Sequence, residues 1–365
     1  MSLKGLYVHI PFCEHICFYC DFAKRVPKNK QMIDEYLDYL KKEYMTIPSH
    51  HKLFDTIYIG GGTPSMLDTN QLRKLFELFK DMNPIEYTIE VNPESYSHEK
   101  GLLFKEYGVN RISLGVQSFD QGILNYIGRK HQTSDVFYAV NDLKNLGIDN
   151  ISIDLIFSIP GQTIKTIEHD LTTLKQLDVN HVSYYALILE EKTVFYHQYQ
   201  QGLFVQNDSD LEADMYLYVM QKLSELGFEQ YEISNFCKNN LYSRHNSLYW
   251  SLEPYLAIGA GAHGFDGKIR YHNHRNLIDY YQTFTKEIIH CEEETLLSDA
   301  LIFGLRKIKG VNINELNDRF KVDIIEKYSE LKKFFDLHLI EIDNGYLRLT
   351  KEGILLGNQI FEVFI

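Results

Sequence analysis

Three cysteines crowd into eight residues near the start of the chain, Cys13-Glu14-His15-Ile16-Cys17-Phe18-Tyr19-Cys20. Thiolates are soft ligands, and three of them on one short loop can wrap a corner of an iron–sulfur cubane. Clusters that only carry electrons are ordinarily held by four thiolates, so a set of three leaves one iron open for catalysis. The other chemistry open to this loop is zinc binding, with His9 or His15 as fourth ligand. Two C-x₂₋₄-C pairs would favour zinc; one compact triplet after a strand favours the cluster. Cys237 and Cys291 stand alone and read as structural thiols. Five Cys, three of them clustered, suit metal ligation in a reducing, cytoplasmic setting better than a disulfide framework.

Other polar residues fall where strands should end. Gly60-Gly61-Gly62-Thr63-Pro64 closes the second strand, and glycines there let backbone approach a ligand closely. A tight strand–helix turn would look the same. Glu90 ends the third strand, where a carboxylate can accept hydrogen bonds from ribose hydroxyls. Gln117 ends the fourth strand and Asp154 lies in the fifth. Arg129, in Tyr126-Ile127-Gly128-Arg129, could meet a carboxylate. Any one of these can be a satisfied strand-end group; together, at successive strand ends, they point to a ligand site.

The elements that must position them follow from hydrophobic periodicity. Strands are expected over 5–12, 53–59, 87–91, 111–116 and 151–159, and helices over 31–47, 70–82, 99–107 and 134–146. The runs 166–177, 181–189, 210–226 and 230–236 continue the alternation. Repeated β/α units predict a parallel sheet with helices outside, and about six of them fall short of the eight that close a barrel. The expected fold is therefore α/β: an open, partial (β/α)6 TIM-like barrel over 1–236. A polar and aromatic connecting segment is expected over 237–294. From 295 to 365 a small helical, winged-helix-like domain is expected, with helices over 298–308, 314–320 and 324–337. It ends in a hairpin turning at Asp343-Asn344-Gly345.

The net charge of −13 and the lack of a basic, aromatic-rich track argue against nucleic acid as partner. No apolar run is long enough to span a bilayer, which leaves peripheral membrane association open.

The form CxxxCxxC with an aromatic before the last Cys, here Tyr19, resembles the radical S-adenosylmethionine superfamily. That resemblance implies a 4Fe–4S cluster on Cys13, Cys17 and Cys20, whose open iron is chelated by S-adenosyl-L-methionine. It also implies one-electron cleavage of the sulfonium to a 5′-deoxyadenosyl radical, fed by an electron donor such as flavodoxin. Tyr7–Cys13, Gly60–Ser65, Gly115–Phe119 and Ile153–Ile156 narrow the resemblance to the HemN-like coproporphyrinogen III dehydrogenase group. Carried over by motif, Tyr7, Tyr19, Gly61, Gly62, Thr63, Glu90, Gln117, Arg129, Asp154 and Ala186 would contact S-adenosylmethionine.

Two departures separate the chain from the dehydrogenases. Their fourth Cys, two residues beyond the third, is here Phe22, and only twelve residues precede Cys13. Both departures resemble the HemW branch, described as heme chaperones, as does His245-Asn246-Ser247-Leu248-Tyr249-Trp250, which reads HNxxYW. Tyr231–Asn235 and Gly259–Gly264 are similar to the same branch. The resemblance implies binding of heme and its delivery to hemoproteins such as respiratory enzymes. Oxidation of coproporphyrinogen III in porphyrin biosynthesis is the alternative, and the residues alone leave open whether the protein is an enzyme. Heme needs an apolar slot, an axial ligand and cations for its propionates. His245 is the candidate ligand, with His263, His272 and Cys237 as rivals; Arg244, Arg270 and Arg275 are candidate propionate partners.

Overall fold

Runs rich in Ile, Val and Tyr that are buried on both faces belong in parallel sheets, where each crossover covers a face. The computed structural model describes residues 3–48 and 53–365. Six such strands follow one another: β1 (Gly5–Ile10), β2 (Thr56–Gly61), β3 (Glu86–Val91), β4 (Arg111–Gln117), β5 (Asn150–Phe157) and β6 (His181–Ala186). Every successive pair is parallel. Helices Lys30–Thr46, Thr69–Phe76, His98–Glu106, Thr133–Asn145 and Ile164–Leu174 fill the crossovers. Their apolar stripes meet the outward strand residues, such as Leu6, Val8, Ile57, Ile59, Ile112 and Ile153, in one large core. The second helix stops earlier than its apolar pattern suggests. Past Phe76 the chain tightens into i→i−3 bonds, Leu78 N to Leu75 O and Phe79 N to Phe76 O.

The sheet stays open, as expected, but it is wider than six strands. β7 (Glu229–Glu232) and β8 (Asn235–Cys237) form a hairpin antiparallel to β6 at one edge. At the other edge come β9 (Tyr255–Ile258), β10 (His263–Phe265), β11 (Ile269–Asn273) and β12 (Thr285–His290). The order is β12-β11-β10-β9-β1-β2-β3-β4-β5-β6-β8-β7. The stretch read as a connecting segment thus supplies four strands of the same sheet. β9 lies parallel beside β1, with Gly5 opposite Tyr255 and Val8 opposite Ile258. Strands this short carry too few residues for a period-2 pattern to stand out.

A buried carboxylate locks this late edge in place. Glu43, from the first helix, accepts from Gly259 N at 2.7 Å, Asn273 Nδ2 at 2.6 Å and Tyr280 Oη at 2.5 Å. Gly259 has φ +101°, and a Cβ there would stand 2.5 Å from His9 O, so only glycine fits beneath β1.

The C-terminal part has its own core of Leu297, Leu301, Ile324, Leu331, Phe334, Leu347 and Phe364. Helix Glu293–Gly304 leads into β13 (Val311–Asn312), helix Ile313–Phe320 follows, and β14 (Ile340–Asp343) and β15 (Tyr346–Leu349) complete a three-stranded sheet with β13. The single helix expected over 324–337 is two, Ile324–Lys327 and Leu331–Asp336. Tyr328 leaves the helical region at ψ 63°, and its ring packs on Phe364 at 5.0 Å.

Candidate cofactor site

Parallel strands bring their C-terminal ends to one rim, where ligands of such sheets bind. The cysteine loop leaves β1 at that rim and is pinned by its neighbours. Cys13 N donates to Arg25 O and Arg25 N to Pro11 O, at 3.0 and 2.8 Å. Phe18 N donates to Ile127 O at 3.1 Å, and Phe18 O accepts from Phe195 N at 3.0 Å. Beneath it lies a small apolar bed of Ile123, Leu124, Ile127, Ile156, Ile159 and Phe195, against which Phe18 and Tyr19 pack. Tyr19 thereby supports the loop as well as bordering its thiols.

The Gly-rich turn cradles the loop from the side. Gly62 N donates to Ile10 O and Thr63 N to Phe12 O. A Cβ on Gly62 would stand 2.6 Å from Phe12 O and 2.9 Å from Cys13 Sγ. Gly61, at φ +119°, donates its N–H to Glu90 Oε2 at 3.0 Å, while Tyr58 Oη donates to Glu90 Oε1 at 2.9 Å. Burial, only partly offset by these bonds, pushes the Glu90 carboxyl up to about 7. Tyr7 stands on the same face, its hydroxyl 2.9 Å from His9 Nδ1 and its ring stacked on Tyr58.

Gln117 ends β4 at φ +71°, beside a register shift in the pairing with β5. A non-glycine residue held there stores strain, and such strain gathers at functional sites. Asp154 accepts from Ser113 Oγ at 2.8 Å and Ser152 Oγ at 3.0 Å, with burial raising its pKa. Ala186 closes β6 opposite Phe157. Arg129 is buried; its Nη1 lies 3.8 Å from Cys17 Sγ and its Nη2 donates to Gly115 O. The structure therefore brings Tyr7, Tyr19, the glycine turn, Glu90, Gln117, Arg129, Asp154 and Ala186 to one face or rim with the cysteines. Glu94 and His131, which sequence reasoning passed over, lie there too: Glu94 Oε2 is 3.7 Å from Arg129 and 3.6 Å from His131.

The donor set fits an iron–sulfur cluster. Cys13, Cys17 and Cys20 are free thiols that feel one another's charge. Burial pushes the Cys13 thiol up to about 11. At Cys17 burial also acts upward, but His15 and Arg129 outweigh it and the net shift is downward. Buried thiols beside cations are suited to be held as thiolates by metal. Among the described residues no three His, Cys, Asp or Glu side chains converge tightly enough for one metal ion. A cubane holds its thiolates farther apart than a single zinc does. Cys237 is fully buried, its thiol pushed up to about 12 by burial, as suits a structural residue.

His245 lies elsewhere. The HNxxYW motif forms the short helix Arg244–Trp250, seated under the N-terminal ends of the strands, opposite the cysteine rim. Glu86, at the start of β3, accepts from the backbone N–H groups of Arg244 and His245 at 2.8 and 2.9 Å. The His245 ring is fully buried: Nδ1 lies 2.8 Å from Thr56 Oγ1 and Nε2 2.9 Å from Tyr249 Oη. Burial, with Arg111 nearby, lowers its pKa to about 3, so the ring is neutral. Both ring nitrogens of the candidate axial ligand are thus engaged in this structure. Trp250 faces the C-terminal domain, under the Arg306 guanidinium at 4.6 Å. Arg270 is paired with Asp299 at 2.7 Å, which takes it from the propionate candidates.

Comparison with known proteins agrees with this architecture. The radical SAM superfamily profile matches residues 7–174 and the HemN C-terminal domain profile residues 292–356. The heme chaperone HemW of Bacillus subtilis (strain 168) is 40% identical over 377 residues, covering 100% of this chain and 99% of the relative. The radical S-adenosyl methionine domain-containing protein 1, mitochondrial, of Bos taurus is 30% identical, covering 98% of this chain and 86% of the relative. The coproporphyrinogen III oxidase HemN from Escherichia coli superposes with a TM-score of 0.87 over 100% of this chain and 90% of its own, at 21% identity, a likeness of fold. The loop, the rim and the full-length likeness together place the chain in the HemW family of the radical SAM superfamily.

Proposed function

We propose that this protein is a heme chaperone, binding heme and passing it to hemoproteins from a radical S-adenosylmethionine scaffold. The observation that carries the reading is Phe22. Where the dehydrogenases have a fourth cysteine, this chain presents an apolar ring, 63% exposed beside the cysteine loop. Its curated relatives named as heme chaperones match it along their whole length, in agreement.

Cys13, Cys17 and Cys20 would hold the 4Fe–4S cluster, and Tyr7, Tyr19, Gly61, Gly62, Thr63, Glu90, Gln117, Arg129, Asp154 and Ala186 would receive S-adenosylmethionine. When bound, these groups supply one-electron chemistry at an open iron. The chain's own residues bind and orient: the Gly62 cradle admits the cofactor close to backbone, and Arg129 offers its charge to a carboxylate. Glu90 presents a carboxyl beside Tyr58 for hydroxyl groups. Recipient hemoproteins, an electron donor of the flavodoxin kind and a cytoplasmic location belong to the same proposal. No helix among the described residues is long and apolar enough to cross a membrane.

The test is anaerobic reconstitution followed by two measurements on one sample, heme titration by absorbance and coproporphyrinogen III consumption. Saturable heme binding without turnover is expected. Steady coproporphyrinogen consumption would establish the dehydrogenase reading instead.

A further inference from the structure

Behind Cys17 four side chains from three segments meet: His15 of the cysteine loop, Glu94 after β3, and Arg129 and His131 after the helix Gln121–Tyr126. Glu94 stands at the centre. Its Oε2 is 3.7 Å from Arg129 Nη2 and 3.6 Å from His131 Nδ1, and its Oε1 is 4.0 Å from His15 Nε2. None of these is a direct hydrogen bond. Both Glu94 oxygens and Arg129 Nε are buried without a hydrogen-bond partner. Burying unpaired atoms of charged groups is costly, and groups left in that state call for a reason other than packing.

Charge supplies one. Arg129 is 4% exposed and lies against Cys17 Sγ, where a buried cation stabilises added negative charge on a cluster. Burial and Arg129 lower the His131 pKa to about 3, so that ring is neutral. Among the described residues, Glu94 is the one carboxylate within 4 Å of Arg129.

We propose that Glu94 is a positioning residue that holds Arg129 at Cys17 and offsets its charge, keeping the cluster's reduction potential below the value Arg129 alone would set. This rests on the cluster being held by Cys13, Cys17 and Cys20. Redox titration of the full-length reconstituted protein, followed by the electron paramagnetic resonance signal of the reduced cluster, tests it. Glu94→Gln should shift the midpoint upward. Glu94→Asp, whose shorter arm keeps the charge at greater distance, should fall between. Thermal melting of each variant runs in parallel, because a merely structural Glu94 would lower the melting temperature and leave the potential unmoved. Should Glu94→Gln fail to take up a cluster, Glu94→Asp decides alone. A midpoint in the variants equal to wild type overturns the proposal. A cluster that survives Cys17→Ser overturns the ligand assignment and this proposal together, a result distinct from an unmoved potential.

Discussion

Glu90 carries a proton at a pH where most glutamates have lost theirs, because its carboxyl is buried and its two hydrogen bonds only partly offset the burial. A free glutamate titrates near 4.3. The folded state therefore binds this proton more tightly than the unfolded state does. The resulting stability is complete below pH ~4.3 and is lost as pH rises through about 7. Melting temperature measured from pH 4.5 to 7 should fall, and Glu90→Gln should flatten the fall. Asp170, also pushed up to about 7 by burial despite its bonds to Ser118 and Phe119, keeps some slope in the variant. Parallel profiles for wild type and variant would remove Glu90 as a source. Glu90, Gln117 and Asp154 were legible in the sequence because parallel strands must deliver their ends to a common rim. Glu94 and His131 were not, since a single Glu or His in a loop carries no spacing that marks it. Only the fold shows that the turn after β3 and the segment after Gly128 converge on Cys17.

At the scale of elements, the helix Arg244–Trp250 is the least expected piece. Its motif is legible as a string of residue types, but its place beneath β1, β2 and β3 is not. That place is set by Glu86 gripping the helix start and by Thr56 at Nδ1 of the His245 ring, whose Nε2 is held within the helix by Tyr249. We propose that His245 reaches heme iron by giving up one of these partners. Tyr249→Phe removes the hydroxyl at Nε2 and keeps the ring, so heme affinity should rise severalfold. His245→Ala should weaken heme binding while sparing the cluster, because helix and cysteine loop occupy opposite ends of the sheet. It should also destabilise the fold by about 2–4 kcal/mol through the cavity and the orphaned hydroxyls. Heme titrations compared at equal cluster content separate these effects. Unchanged affinity in both variants would move the ligand to His263, His272 or Cys237. Of these, His263 and His272 stand opposite each other on β10 and β11 with rings 5.1 Å apart.

For the molecule as a whole, the six β/α units and the terminal hairpin announce themselves by periodicity and turn chemistry. The width of the sheet does not. Tyr255-Leu256-Ala257-Ile258 has no pattern that says it will lie beside a strand some 250 residues earlier. That adjacency has a consequence in time. A nascent chain leaves the ribosome at roughly 5–20 residues per second, so β1 waits roughly 12–50 s for β9 to emerge. Throughout that interval the strand that launches the cysteine loop has a bare edge, open to wrong partners. Metal loading should therefore follow translation rather than accompany it. Ribosome-stalled chains ending at residue 236 contain all three cysteines but no β9. They should fail to retain a cluster under anaerobic reconstitution, whereas chains stalled late enough to expose residues 1–290 outside the exit tunnel should keep it. Equal retention by both would show that the rim is complete before its last parallel strand arrives.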